Sequence, residues 1–111
     1  MAKTILDTTI TEEDFTAGDV TSEAWTPSMD QVVHSFQVTT RTDAGVQVLA
    51  PIMIDVVDKR PAYFRARWDL VDTRVYIEGS NHPEQSDMWS NLGDSGAFAV
   101  GIGTQLFVYA N

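Results

Sequence analysis

Apolar and polar residues alternate in short runs through most of this chain, and turn-forming residues separate the runs. Phe64, Ala66, Trp68 and Leu70 interleave with Tyr63, Arg65, Arg67 and Asp69. A period of two is that of a strand with one buried face, which predicts a β-strand over residues 63–70. Val75, Ile77 and Gly79 repeat the alternation against Arg74, Tyr76 and Glu78 beyond a short polar break. The two runs read as an antiparallel hairpin, although Val71-Asp72-Thr73 lacks the Asn-Gly or Asp-Gly of the tightest turns.

The same pattern recurs on both sides. Val32, His34, Phe36 and Val38 share one face and Val33, Ser35, Gln37 and Thr39 the other, predicting a strand over residues 32–40. Thr42-Asp43-Ala44-Gly45 is a tight connection, and its glycine can take a positive φ. Val46, Val48, Ala50, Ile52, Ile54 and Val56 then align over residues 46–57. Pro51 removes a backbone donor from that run, so the strand is broken there or lies at an edge. A first strand is predicted over residues 20–27. Order resumes at 88–92 after the polar loop 81–87, and residues 97–102 and 105–110 read as two closing strands.

Short strands at this spacing, with no helical period, define an all-β fold. The expected architecture is a single β-sandwich or jelly-roll-like domain over residues 24–111, of about eight short, mostly antiparallel strands. Residues 1–23 differ in kind. They are rich in Thr, Asp and Glu, and their large apolar residues are sparse: Ile5, Leu6, Ile10, Phe15 and Val20. This segment is read as an extended acidic arm, with Ile5, Leu6, Ile10 and Phe15 as anchors that meet a partner surface.

Charge narrows the partners. A net charge of −9 disfavours nucleic acid and anionic membrane surfaces, since both are gripped by clustered Lys and Arg. No apolar run approaches the roughly 20 residues of a bilayer span, and the first residues carry no signal-peptide core. The absence of cysteine excludes disulfides, thiolate zinc sites and a cysteine nucleophile. The charge is also uneven. Residues 1–30 hold seven acids against Lys3, whereas Lys59, Arg60, Arg65, Arg67 and Arg74 cluster within residues 59–74. Arg65 and Arg67, on one strand face, are candidate contacts for a partner or for the arm.

Candidate chemistry is thin. Gly93-Asp94-Ser95-Gly96 is identical to the nucleophile segment of chymotrypsin-like serine proteases, and His34 precedes it. Such chemistry needs an imidazole on the serine hydroxyl and a carboxylate behind it. His34 instead falls mid-strand, and the chain is half the length that two barrels require. His34 and His82 have no metal-ligand spacing. Calcium on loop oxygens of Asn81, Glu84 and Asp87 is the remaining metal option, without the Asp-x-Asp-x-Asp-Gly pattern. No catalytic residue, metal or cofactor is expected, and Trp68 is assigned to the core by its phase with Phe64 and Leu70.

One stretch is familiar. Val75-Tyr76-Ile77-Glu78-Gly79-Ser80-Asn81, followed after a polar loop by Trp89-Ser90-Asn91-Leu92-Gly93, resembles a pattern in β-sandwich structural proteins of tailed bacteriophages. There a strand ending in Glu-Gly-Ser-Asn or a near variant precedes Asp-Gly, an aromatic and Leu-Gly. Here His82-Pro83 stands in place of Asp-Gly, and the loop is longer. The resemblance implies a non-catalytic virion structural protein, a capsid decoration (cement) or head/tail auxiliary protein, assembled in the host cytoplasm. Its partner would be the major capsid protein or another virion protein, and it would form a homo-oligomer, with a trimer favoured. Arg65, Arg67 and Trp89 join the arm anchors as expected contact residues. The alternative is a carbohydrate- or receptor-binding β-sandwich module, which would present Trp25 or Trp89 to solvent beside Asn and Asp. A third reading is a small acidic inhibitor protein.

Overall fold

A computed structural model describes residues 7–10, 20–21, 24–26, 33–42, 44, 49–58, 60–69, 71–99 and 104–110. Among these there is no helix, and so none long and apolar enough to cross a membrane. Two short strands come first, β1 (Asp7–Ile10) and β2 (Val20–Thr21). Six more form the body: β3 (Ser35–Thr42), β4 (Ile52–Asp55), β5 (Tyr63–Asp69), β6 (Arg74–Ser80), β7 (Ser90–Asp94) and β8 (Thr104–Ala110). They make two antiparallel sheets of three, β8-β3-β4 and β5-β6-β7, and β1 and β2 add to the outer sides of β8 and β5.

The hairpin stands where the alternation places it, paired from Tyr63 opposite Ser80 to Asp69 opposite Arg74. It manages without Asn-Gly because its loop is longer and capped from within. The Asp69 carboxylate accepts the N–H groups of Val71 and Asp72 at 2.9 and 3.0 Å. Thr73 then takes the left-handed conformation, φ 51°, that lets the chain re-enter the sheet.

Alternate residues of each strand point into one shared core. Phe36 and Val38 of β3, Ile54 of β4 and Leu106, Val108 and Ala110 of β8 meet Phe64, Ala66 and Trp68 of β5, Val75 and Ile77 of β6 and Leu92 of β7. The rings of Phe36 and Phe64 lie 5.7 Å apart, joining one sheet to the other. Thr40 also faces inward, and its Oγ1 is satisfied by the N–H of Leu49 at 2.9 Å.

Four strand expectations are corrected. Of the strand expected over residues 97–102, the described residues 97–99 run on without a ladder, after Gly96, at φ 77°, turns the chain out of β7, and residues 100–102 lie outside the described residues. Phe98 holds the chain there, donating its N–H to the Thr73 carbonyl at 2.8 Å and packing its ring 5.2 Å from that of Trp68. Of the first strand expected over residues 20–27, the described residues show the two-residue β2 and an isolated bridge at Trp25, which exchanges both backbone bonds with Phe64. His34 does not share the face of Phe36. It precedes the ladder and is exposed, while Val33 is buried. The strand expected over residues 46–57 begins only after Pro51, and Val46 and Val48 lie outside the described residues.

The two sheets are tied at the β4–β7 corner. Ile77 pairs with Gly93 and Glu78 with Asn91, so Leu92 is the extra residue of a bulge. The bulge sends the Leu92 side chain into the core while its carbonyl accepts the Val57 N–H at 3.1 Å. Both glycines of the familiar stretch make this possible. A Cβ on Gly93 would stand 2.6 Å from the Asp55 carbonyl oxygen, and one on Gly79 would stand 2.8 Å from both Leu92 and Pro61.

Candidate functional site: the outer face of the β5–β6 hairpin

Side chains that alternate away from the core put Arg65, Arg67 and Asp69 of β5 beside Arg74, Tyr76 and Glu78 of β6 on one outer face. Glu78 is the hub. Its carboxylate accepts Arg65 Nε at 2.7 Å on one oxygen and Arg67 Nε at 3.4 Å on the other. It is 92% buried for that reason, at 8% relative exposure, although it faces outward. Each guanidinium also lies over an aromatic ring: Arg65 is 4.2 Å from the ring centre of Trp89, and Arg67 is 4.7 Å from that of Tyr76. Trp89 stands just before β7, and the adjacent residues Ser90 and Asn91 pair with Gly79 and Glu78 of β6. The result is one continuous ladder, Trp89–Arg65–Glu78–Arg67–Tyr76.

The ends of the ladder are tied down as well. The Tyr76 hydroxyl donates to the Asp72 carboxylate at 2.8 Å, and that bond holds the phenol above its ordinary value. Arg67 reaches Asp69 at 3.4 Å, and Arg74 pairs with Asp94 at 2.9 Å. The Asp69 carboxyl is held below the ordinary carboxylate value, first by the Asp72 N–H and then by the Val71 N–H and the Arg67 guanidinium, against an upward push from desolvation. Arg65, Arg67 and Arg74 of the basic cluster are thus matched by acids of their own sheet, and Arg60 by Asp58 of its own loop. Glu78 is the cross-strand partner of Arg65 and Arg67, Asp69 the same-strand partner of Arg67, and Arg74 finds Asp94 on β7.

The protease-like segment has a different use. Ser95 Oγ accepts the Val75 N–H at 3.0 Å and donates its proton to the Gly96 carbonyl at 2.7 Å. Asp94 accepts the Gly96 N–H at 3.0 Å besides its bond to Arg74. Gly-Asp-Ser-Gly closes the end of β7 and turns the chain.

A second feature lies at the other end of the hairpin. An open groove of about 310 Å³ is lined by Asp58, Pro61, Ser80, Asn81, His82, Met88, Ser90 and Leu92, with Gly79 at its floor. Its walls are fixed by local bonds: the Asn81 side chain accepts the Ala62 N–H at 2.8 Å, and Ser80 Oγ accepts the His82 N–H at 2.9 Å. Two consecutive turns, Gln85 N–H to the His82 carbonyl and Met88 N–H to the Gln85 carbonyl, shape the loop above it. Among the described residues no three of His, Asp and Glu converge on a metal-sized site, and Glu84 stands 3.9 Å from His82 without a third ligand.

Of the contact residues expected from the sequence, Arg65, Arg67 and Trp89 come together in the ladder. Ile5, Leu6 and Phe15 lie outside the described residues, and Ile10 is the last residue of β1, opposite Leu106. Glu78 and Tyr76, which complete the ladder, are not among those expected contact residues and stand in the sequence only as polar positions of the second hairpin run. Their phase with Arg65 and Arg67 across the hairpin is the signal that places them in the same cluster. Trp25 is half-buried against the core, and one face of Trp89 is covered by Arg65, so neither is a free aromatic platform. Comparison with protein-family models, curated proteins and solved structures finds no match.

Proposed function

We infer that this chain is a non-catalytic assembly protein, a β-sandwich with an extended N-terminal arm that decorates or joins a virion surface. The observation that carries the reading is the Trp89–Arg65–Glu78–Arg67–Tyr76 ladder. Arg, Trp and Tyr are the residues that dominate protein–protein hot spots, because they combine large contact area with directional polar groups. Here they are locked by one another before any partner arrives, so little side-chain freedom is lost on docking. The resemblance of residues 75–93 to phage structural proteins supports a virion as the setting, with the major capsid protein as partner.

The test is incorporation. The chain is sought by mass spectrometry in purified tailed particles of its source, and then in particles complemented with Arg65→Ala/Arg67→Ala or Trp89→Ala. The reading expects many copies per particle for the parent chain and strong depletion for variants that remain folded. Absence of the parent chain from intact particles ends it.

The carbohydrate-binding alternative is supported by the groove, whose lining combines polar Asn81, His82, Ser80 and Ser90 with apolar Pro61, Met88 and Leu92. It expects saccharide binding that Asn81→Ala abolishes and Trp89→Ala leaves intact.

A further inference from the structure

The two sheets differ sharply on their outer faces. The hairpin face is crowded with ion pairs, whereas the middle rows of the outward residues of β3, β4 and β8 are uncharged. Alternation places Gln37, Thr39 and Arg41 of β3, Met53 and Asp55 of β4 and Phe107 and Tyr109 of β8 on that face. Register lines them up in rows: Met53 beside Gln37 beside Tyr109, then Thr39 beside Phe107. Met53 is 51% exposed, a high value for an apolar residue in the middle of a strand. The charges on β3 and β4 sit at opposite ends, and Asp7 of β1, opposite Tyr109 in the register, stands on the Asp55 side of the face's centre. Asp55 pairs with Ser35 at the start of β3, and Arg41 lies six residues further along the same strand, about 20 Å away. Arg41 is exposed and lies 5.4 Å from the Phe107 ring centre.

We propose that this face is a self-association surface, on which a second copy of the chain packs about a two-fold axis. The charge arrangement selects the occupant. A two-fold axis lying in the interface and crossing the strands between Gln37 and Thr39 brings Arg41 of each copy over Ser35 of the other, next to Asp55. The uncharged rows then meet one another, since the same patch is presented on both sides. A partner of uniform charge would satisfy one end of the face and be repelled at the other. The face measures roughly 15 by 23 Å from strand spacing and rise. That is well under the roughly 800 Å² per partner of a standard interface, so the contact is weak, with a dissociation constant in about the micromolar range or above. This contact is distinct from the hairpin ladder, and from whatever ring a virion would impose.

Sedimentation equilibrium from about 1 to about 500 µM tests it. The parent chain is expected to pass from monomer to dimer over that range. Met53→Glu, at an exposed position, is expected to weaken the dimer about tenfold or more. Arg41→Asp and Asp55→Arg should each weaken it, and the double swap should restore it, because the swap re-forms the same cross-copy pairs. A chain that stays monomeric throughout, or that forms a trimer without a dimer, overturns the proposal. So does a dimer indifferent to Met53→Glu, or a double swap no better than either single variant. None of these variants touches Arg65, Arg67, Trp89 or the groove, so particle incorporation can survive the failure of this contact, and the reverse.

Discussion

At the scale of single residues, Glu78 carries more than its share. Its carboxylate is largely buried and serves two guanidiniums at once, so removing it strands both charges on a half-buried face. Glu78→Ala is expected to cost about 2–4 kcal/mol, less than a fully buried pair because the arginines retain some solvent and their stacking on Trp89 and Tyr76. Equilibrium urea unfolding measures it, and a loss under about 0.5 kcal/mol would show the ladder to be ornamental. Gly93 makes the opposite kind of contribution, by what it lacks. Its missing Cβ admits the Asp55 carbonyl, and that oxygen is backbone in the neighbouring sheet, unable to move aside like a flexible side chain. Gly93→Ala should therefore force β4 and β7 apart and destabilise the fold by about 1–3 kcal/mol, whereas Gly96→Ala meets open space and is strained only by its positive φ.

At the scale of elements, the β5–β6 hairpin was the most legible part of the chain, and the reason is physical. Both of its strands keep strict alternation over their full length because one face is core and the other is the ladder. Its loop was less legible. The capping by Asp69 and the positive φ of Thr73 replace an Asn-Gly signal with one that depends on where the carboxylate points. Alternation misled where burial came from outside the ladder. Val33 is buried outside the described strands, and Phe98 packs against the core from a segment held by a single described backbone bond to Thr73, so residues 97–99 carry a strand's apolar pattern without a ladder. The loop makes a pH prediction with a definite sign. The Asp69 carboxyl is depressed in the fold, so its stabilisation is complete above the ordinary value of 3.8 and is lost as pH falls through the lower folded value. The urea midpoint of the parent chain should fall on acidification below 3.8 by more than that of Asp69→Asn, and parallel acid profiles for the two would remove Asp69 from the account.

At the scale of the whole molecule, the ladders are unequal, and that decides what the N-terminal residues can do. β3 and β8 pair over seven positions, from Phe36 opposite Ala110 to Thr42 opposite Thr104, with Val38 and Val108 both in the core. β1 pairs with β8 over four positions and β2 with β5 over only two. Local opening free energy follows the number of ladder bonds and buried neighbours that must be given up. Amide hydrogen exchange on a dilute sample should thus be slowest at Val38 and Val108 and fastest, among the strands, at β2. The amides of Asp7–Ile10 are the informative ones. If they are protected in a dilute monomer, β1 is an ordinary edge strand that shields β8 from pairing with other chains, and the arm has no free strand to offer a partner. If they exchange fast when dilute and slow as concentration rises, β8 takes its edge strand from a neighbouring copy. The edge of β8 would then be the seam between copies of the chain, because an exchanged strand forms the same bonds between copies that it forms within one.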